Sequence, residues 1–349
     1  PVVSKPALVR NHYTGENEIF VQDEENRVYL VDKSGEVSWQ KQLDERIQSE
    51  IYQIDYFGND KLQMLFNTEN RIHLLDRKGR YVENYPLQLK ASATNGLSVF
   101  HYMGGTDYRI ALATVDNRVL LLDKYGKPVE GWQFGETESE VTAPLQHIRM
   151  SNKDFICFSD QDRIYLLHRR GTVRIKPGEQ FAKSPENIFY TEFTNNPEKA
   201  RFVTTSKNGL VKKIGLDGKV TTVKTEGYEE EHHFIYEDLN NSGQAEYIFM
   251  QGKKLEVFNQ NMKRLFAYDL NNKSHSAPVI YEFAANNKKI GLTDAQEHEL
   301  MLLNKDGTKF GNFPLKGQSP FSIGFLSSQA SSFKLVAGSA KGLILYRLQ

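Results

Sequence analysis

The sequence predicts an all-β, eight-bladed β-propeller of four-stranded antiparallel blades, and three observations predict it. One phrase recurs along the chain: NRVYLVDKSG at 26–35, NRIHLLDRKG at 70–79, NRVLLLDKYG at 117–126 and DRIYLLHRRG at 162–171. Weaker copies end at Gly218, Met262 and Gly307, and a shortened copy, KGLILYRLQ, closes the chain. Successive copies end 44 to 47 residues apart, the period of a four-stranded blade. Between copies the sequence alternates apolar and polar positions over short runs with turn residues at their ends, and no stretch carries a helical period.

The stretch 49–89 shows how each element arises. SEIYQIDYF alternates apolar and aromatic positions as a first strand, GND turns it, and KLQMLFNTE follows as a second. Glu69 and Asn70 turn again, RIHLLDR is the third strand, and the more polar YVENYPLQL is the fourth. Gly35, Gly79, Gly126, Gly171, Gly218 and Gly307 follow the third strands, with Asp32, Asp76 and Asp123 before the first three. There the Asp oxygens cap backbone N–H groups, and glycine takes the left-handed conformation that closes the hairpin. A phosphate cradle would need a helix after the glycine, and none is visible.

First strands recur at Pro6 and near Ile51, Leu97, Leu145, Ile188, Phe234, Val279 and Phe321. The last blade has three strands only, FSIGFL, FKLVAGS and GLILYRL. An open edge needs cover, so residues 1–5 are expected to pair with 343–348 and close the ring as an N-terminal strand. The whole of 1–349 reads as one propeller domain, monomeric as a domain and part of a larger protein.

Charge is balanced at 44 basic and 44 acidic residues, which removes the electrostatic case for nucleic acid. No apolar run has the length that spans a bilayer. The single cysteine, Cys157, lies in DFICFS and reads as a buried strand residue that excludes an intrachain disulfide. It does not report the compartment. The chain begins at Pro1 without a signal peptide, as a mature or excised segment would.

The segment NRVYLVDKSGEVSW resembles the repeat of quinoprotein-dehydrogenase-like (pyrroloquinoline-quinone-like) β-propellers: an apolar strand, an Asp, a Gly turn and a Trp four residues later. That resemblance implies a fold often built of eight blades, found both in quinoenzymes and in non-enzymatic scaffolds such as the propeller lipoprotein of outer-membrane barrel assembly. Only Trp39 holds the repeat's tryptophan position; Trp132 falls two residues later. The quinoenzymes' adjacent-cysteine pair has no counterpart in a chain with one cysteine. The likeness is therefore to non-enzymatic propeller segments of bacterial envelope proteins, with an extracytoplasmic location, periplasm or cell envelope.

A second resemblance is local. In EDLNNSGQAEYIF, Asp238, Asn240, Ser242 and Glu246 are spaced like the calcium loops of integrin-type propeller repeats, where alternate oxygen ligands suit a hard cation. The competing reading is a turn whose Asp and Asn cap backbone groups.

In a propeller the loops that join fourth strands to the next first strands share a face. Those loops bring Glu140, Glu230, Glu231, His232 and His275 forward as a ligand- or partner-binding set, an imidazole–carboxylate mixture that suits a metal or a cationic group. An acidic run is also an ordinary solvated surface. Arg27, Arg71, Arg118 and Arg163 open four consecutive third strands, and such regularity favours a repeated structural contact over an anion ring. The expected function is a non-catalytic binding or scaffold propeller without a cofactor; the alternative is a quinone- or metal-dependent enzyme with its site at the channel mouth.

Overall fold

A computed structural model describes residues 1–2, 4–102, 104–274, 276–284, 286–327, 329 and 332–348. The fold is an all-β, eight-bladed propeller: eight sheets follow one another along the chain, each antiparallel throughout. All eight expected first strands are present. Among the described residues the helical content is one turn, Pro197–Lys199.

The chain forms two compact units, one of residues 1–145 and 319–349 and one of residues 146–318. The first unit holds blades 1, 2, 3 and 8, and the second holds blades 4 to 7. Blade 1 shows the plan: Ala7–Arg10, Asn17–Gln22, Arg27–Val31 and Val37–Gln42, paired in that order. Burial peaks in the middle strands, which are covered on both faces, and falls off in the first and fourth. Asn17–Gln22 is almost wholly buried, whereas Val37–Gln42 is exposed at alternate positions.

The turn chemistry is as the sequence indicates. Asp32 Oδ1 accepts from the N–H groups of Ser34 (2.8 Å) and Glu36 (3.0 Å). Asp76 and Asp123 make the same pair of bonds, and the glycines that follow have φ of +91°, +74° and +79°. At the sixth repeat Asn259 does the capping and Met262 takes the positive φ, 59°.

Neighbouring blades of the first unit are joined by a recurring contact. The indole of Trp39, on the fourth strand of blade 1, lies over Gly79 of blade 2, so close that a Cβ there would meet the ring at 2.7 Å. Its Nε1–H donates to the Arg77 carbonyl at 2.7 Å. Leu87 of blade 2 covers Gly126 of blade 3 in the same way, and Tyr85 Oη donates to the Lys124 carbonyl at 2.7 Å. In the second unit Phe266 of blade 6 covers Gly307 of blade 7. Only glycine leaves room for the docking residue.

Four outer strands differ from expectation: that of blade 3 is reduced to single bridges at Pro128 and Glu136, and that of blade 7 to Leu315–Lys316. The fourth strand of blade 2 is reduced to Leu87–Gln88 with a bridge at Tyr81, since Pro86 has no N–H to continue the ladder. The N-terminal segment does tie the last blade to the first, but not as a fourth strand along 343–348. The Val2 N–H donates to the Ser339 carbonyl (3.1 Å), and the Pro1 carbonyl accepts from Glu24 N–H (3.1 Å). Val2 sits at the tip of the hairpin between Lys334–Ser339 and Gly342–Arg347, where it leads into blade 1. That is the linker's place: two residues on, Ser4 Oγ accepts from Gln22 N–H at the start of blade 1, as Ser49 Oγ accepts from Asn67 N–H at the start of blade 2.

Candidate functional site

The loop 225–231 and its neighbours make a polar concavity in the second unit. It encloses about 370 Å³ and is lined by Glu226, Tyr228, Glu229, Glu231, Glu256 and Lys273, among others. Its floor is rigid because the Tyr228 ring stacks on Phe249 at 4.2 Å and 6°. Glu256 is held by Lys254 (2.7 Å) and Arg264 (2.9 Å), and these cations keep its carboxyl below the usual range against the opposing effect of burial. Glu231 reaches Lys273 at 3.0 Å and Glu230 reaches Lys207 at 3.0 Å, both exposed pairs of the kind that contribute little to stability. Glu226 and Glu229 are exposed on the same loop.

The expected binding set is therefore divided. Glu230 and Glu231 are at the surface, as read from the sequence. His232 is not: the strand His232–Glu237 begins on it, and alternation turns its ring inward, where it is fully buried. Nε2 lies 2.9 Å from Thr205 Oγ1, Nδ1 donates to the Glu229 carbonyl at 2.7 Å, and burial lowers its pKa. It is a core histidine joining blades 5 and 6. Glu140 is exposed in the first unit. His275 lies outside the described residues.

The loop 238–246 shows what its carboxylates do. Asp238 accepts from the N–H groups of Ser242 (2.9 Å) and Gly243 (2.7 Å). Glu246 is buried, which raises its pKa, and accepts from Leu239 N–H (2.9 Å) and Asn240 Nδ2 (2.8 Å). Asn240 thus offers its amide N–H₂ to Glu246. Blade 2 repeats the arrangement with Asp55 capping Gly58, Asn59 and Asp60, and with neutral Gln63 accepting from Tyr56 N–H at 2.8 Å in the place of Glu246. A position that works with Gln is explained by the turn it caps. Among the described residues no group of three or more His, Cys, Asp or Glu is placed to hold a metal ion.

Three of the four repeated arginines make structural contacts. Arg118 meets Glu136 (3.4 Å) and Asp116 (3.6 Å), Arg27 meets Glu25 (3.4 Å), and Arg71 meets Asp44 of the preceding linker. Cys157 is fully buried, and its thiol pKa is raised well above the ordinary value by that burial.

One polar cluster left no mark in the sequence. Lys183, in the plain stretch FAKSPEN, is buried; its Nζ donates to the carbonyls of Ser184 (2.8 Å) and Asn187. Desolvation lowers its pKa to about 7. Asn187 Nδ2 donates to Thr205 Oγ1 at 2.7 Å, which links the lysine to His232. Every polar atom named here has a protein partner, so the cluster reads as a joint inside the second unit.

No protein-family model matches the chain. No curated protein matches it in sequence. Solved structures do match its shape. The dihydro-heme d1 dehydrogenase NirN, in complex with DHE, is 12% identical with a TM-score of 0.61, over 99% of this chain and 74% of that one. A quinohemoprotein alcohol dehydrogenase from Comamonas testosteroni is 10% identical with a TM-score of 0.60, over 99% and 71%. BBS1N, in complex with ARL6DN, is 11% identical with a TM-score of 0.54, over 95% and 94%. Such likeness establishes a propeller fold that enzymes and a protein-bound propeller share, and it assigns no activity. Among the described residues no helix is long and apolar enough to cross a membrane.

Proposed function

We propose that this chain is a non-catalytic binding propeller of a bacterial extracytoplasmic protein, which holds a partner through the loop face of its second unit. The observation that supports the reading is the concavity around Tyr228. Its floor is a fixed aromatic stack, and its exposed rim carries Glu226, Glu229 and Glu231, so it suits one cationic side chain of a partner polypeptide. The repeat's likeness to envelope propellers supports the location.

Charge reversal tests it. Partner capture from a cell-envelope extract is expected to be lost in a Glu229→Lys, Glu231→Lys double variant that keeps its melting temperature. Capture that survives both changes moves the interface elsewhere. Added pyrroloquinoline quinone is expected to leave the absorbance spectrum of the protein and the quinone additive; tight, saturable uptake of the quinone overturns the non-catalytic reading.

A further inference from the structure

Blades 5 and 6 enclose a second cleft in the same unit. The loops that follow their first strands, Tyr190–Glu192 and His232–Glu237, lie at the other end of these blades from loop 225–231. The cleft there holds about 720 Å³ and is lined by Thr191, Glu192, Phe193, Tyr236, Gln244 and Asn261, among others. One network fixes its floor. Glu192 Oε1 accepts from Lys213 Nζ (2.6 Å) and from Tyr236 Oη (3.0 Å). Gln260 Oε1 accepts from Lys213 Nζ (3.3 Å) and Tyr247 Oη (3.0 Å), and Gln260 Nε2 donates to Tyr236 Oη (3.2 Å). Lys213 is buried, with Nζ 5.5 and 5.4 Å from the ring centres of Tyr236 and Tyr247.

Charge in this cleft is already answered. Glu192 lies against Lys213 and Arg201 (3.7 Å), Glu237 accepts from Lys288, and Asp238 is spent on the backbone N–H groups of Ser242 and Gly243. An ionic ligand gains little from such a lining, and a neutral one loses nothing. The groups left open are an aromatic ring and two amides. Phe193 is 67% exposed. Phe325, which follows the first strand of blade 8, stacks on Phe333 at 4.3 Å, whereas Phe193 has no ring partner among the described residues. Gln244 and Asn261 are exposed, and their bonds to protein run through the backbone alone.

We propose that this cleft binds a neutral oligosaccharide of gluco-configured pyranose units. The ring hydroxyls of such a sugar are equatorial, so its faces present C–H groups and its edges present hydroxyls. One face would stack on the uncovered ring of Phe193, which supplies apolar area. Edge hydroxyls would donate to Glu192 Oε2, the carboxylate oxygen that has only Arg201 near it, and would exchange hydrogen bonds with Gln244 and Asn261, whose amides both donate and accept. The volume falls in the range of small-ligand clefts, about 300–1,000 Å³, and a few fixed polar groups against an aromatic surface are what orient a ligand in one. The cleft does not depend on the reading of the Tyr228 concavity.

The probes are cellotriose, maltotriose and tri-N-acetylchitotriose, titrated into the full 349-residue chain and followed by saturation-transfer NMR. Saturable transfer to the ring C–H protons of at least one is expected, with a Kd below about 5 mM. Phe193→Ala, at an exposed position, is expected to weaken that sugar at least about tenfold with an unchanged melting temperature. A Gln244→Ala, Asn261→Ala double variant is expected to weaken it at least about threefold. Partner capture that depends on Glu229 and Glu231 is expected to survive Phe193→Ala, which keeps the two sites distinguishable. No saturable binding of any of the three sugars at about 10 mM overturns the proposal, as does binding that ignores Phe193 and both amides. So does trilysine that displaces the sugar, since the cleft would then select a cationic peptide.

Discussion

Trp39 over Gly79 and the open space over Gly35 are two states of one joint, forty-four residues apart in the repeat. On the blade 2 side of the filled joint, Leu75 and His73 are almost fully buried. Their counterparts facing blade 8, Val31 and Tyr29, are less covered. The inner strands are alike at both joints, so the difference comes from the outer strand alone. The lesson is that the inner three strands make a blade, while the fourth strand joins blades by placing one large side chain over a glycine.

Truncation should separate the two joints most sharply. Leu30→Ala is expected to cost about 3–4 kcal/mol in denaturant unfolding, because a fully buried leucine leaves a cavity. Leu345→Ala should cost less than about 0.5 kcal/mol. Equal losses would mean that Leu345 is already covered and that the comparison fails.

His73 provides the next largest effect. It packs beneath the filled joint with its ring 5.0 Å from Phe66, and burial lowers its pKa to about 4. The unfolded chain takes up a proton on this residue near pH 6.5, so between the two values the unfolded state binds more protons. Stability should therefore fall as pH drops from 6.5 to 4, by at most about 3 kcal/mol from this residue. His73→Tyr, which places the blade 1 residue there, should flatten that slope relative to the parent chain. An unchanged slope would mean that the ring is not sealed in.

Trp39→Ala follows, at about 2 kcal/mol, less than a wholly buried tryptophan because one side of the ring is exposed. An unchanged unfolding free energy would mean that the indole adds nothing to the joint. Smallest of all, Glu246→Gln should change stability by less than about 1 kcal/mol, since Gln63 caps the matching turn in blade 2. A melting temperature that rises with millimolar calcium in the parent and not in this variant would restore the metal reading.

The fold was legible because its signals are local and repeated: the Asp and Gly of each hairpin, the alternation within strands and a fixed period. What the sequence hid depends on neighbours. His232 looked like a loop residue because it follows three glutamates, yet the strand begins on it and faces it inward. The N-terminal residues were expected to fill the last blade's edge because that edge needs cover. Only the bonds of Val2 to Ser339 and of Pro1 to Glu24 show that they serve as a linker. Lys183 and Asn187 carry no signature at all, because Lys183 bonds backbone carbonyls, which every residue has, and Asn187 bonds Thr205 beyond the next strand. The empty place over Gly35 is invisible in a repeat that conserves the glycine and omits its cover.

Amide hydrogen exchange of the unliganded chain tests the central claim most directly, by comparing Gly342–Arg347 with Arg27–Val31. The amides of the blade 8 strand that face its outer edge should exchange at least about a hundredfold faster than the corresponding amides of blade 1, whose fourth strand protects them. Equal protection in the two strands would contradict the account, because the edge of the last blade would then already be closed.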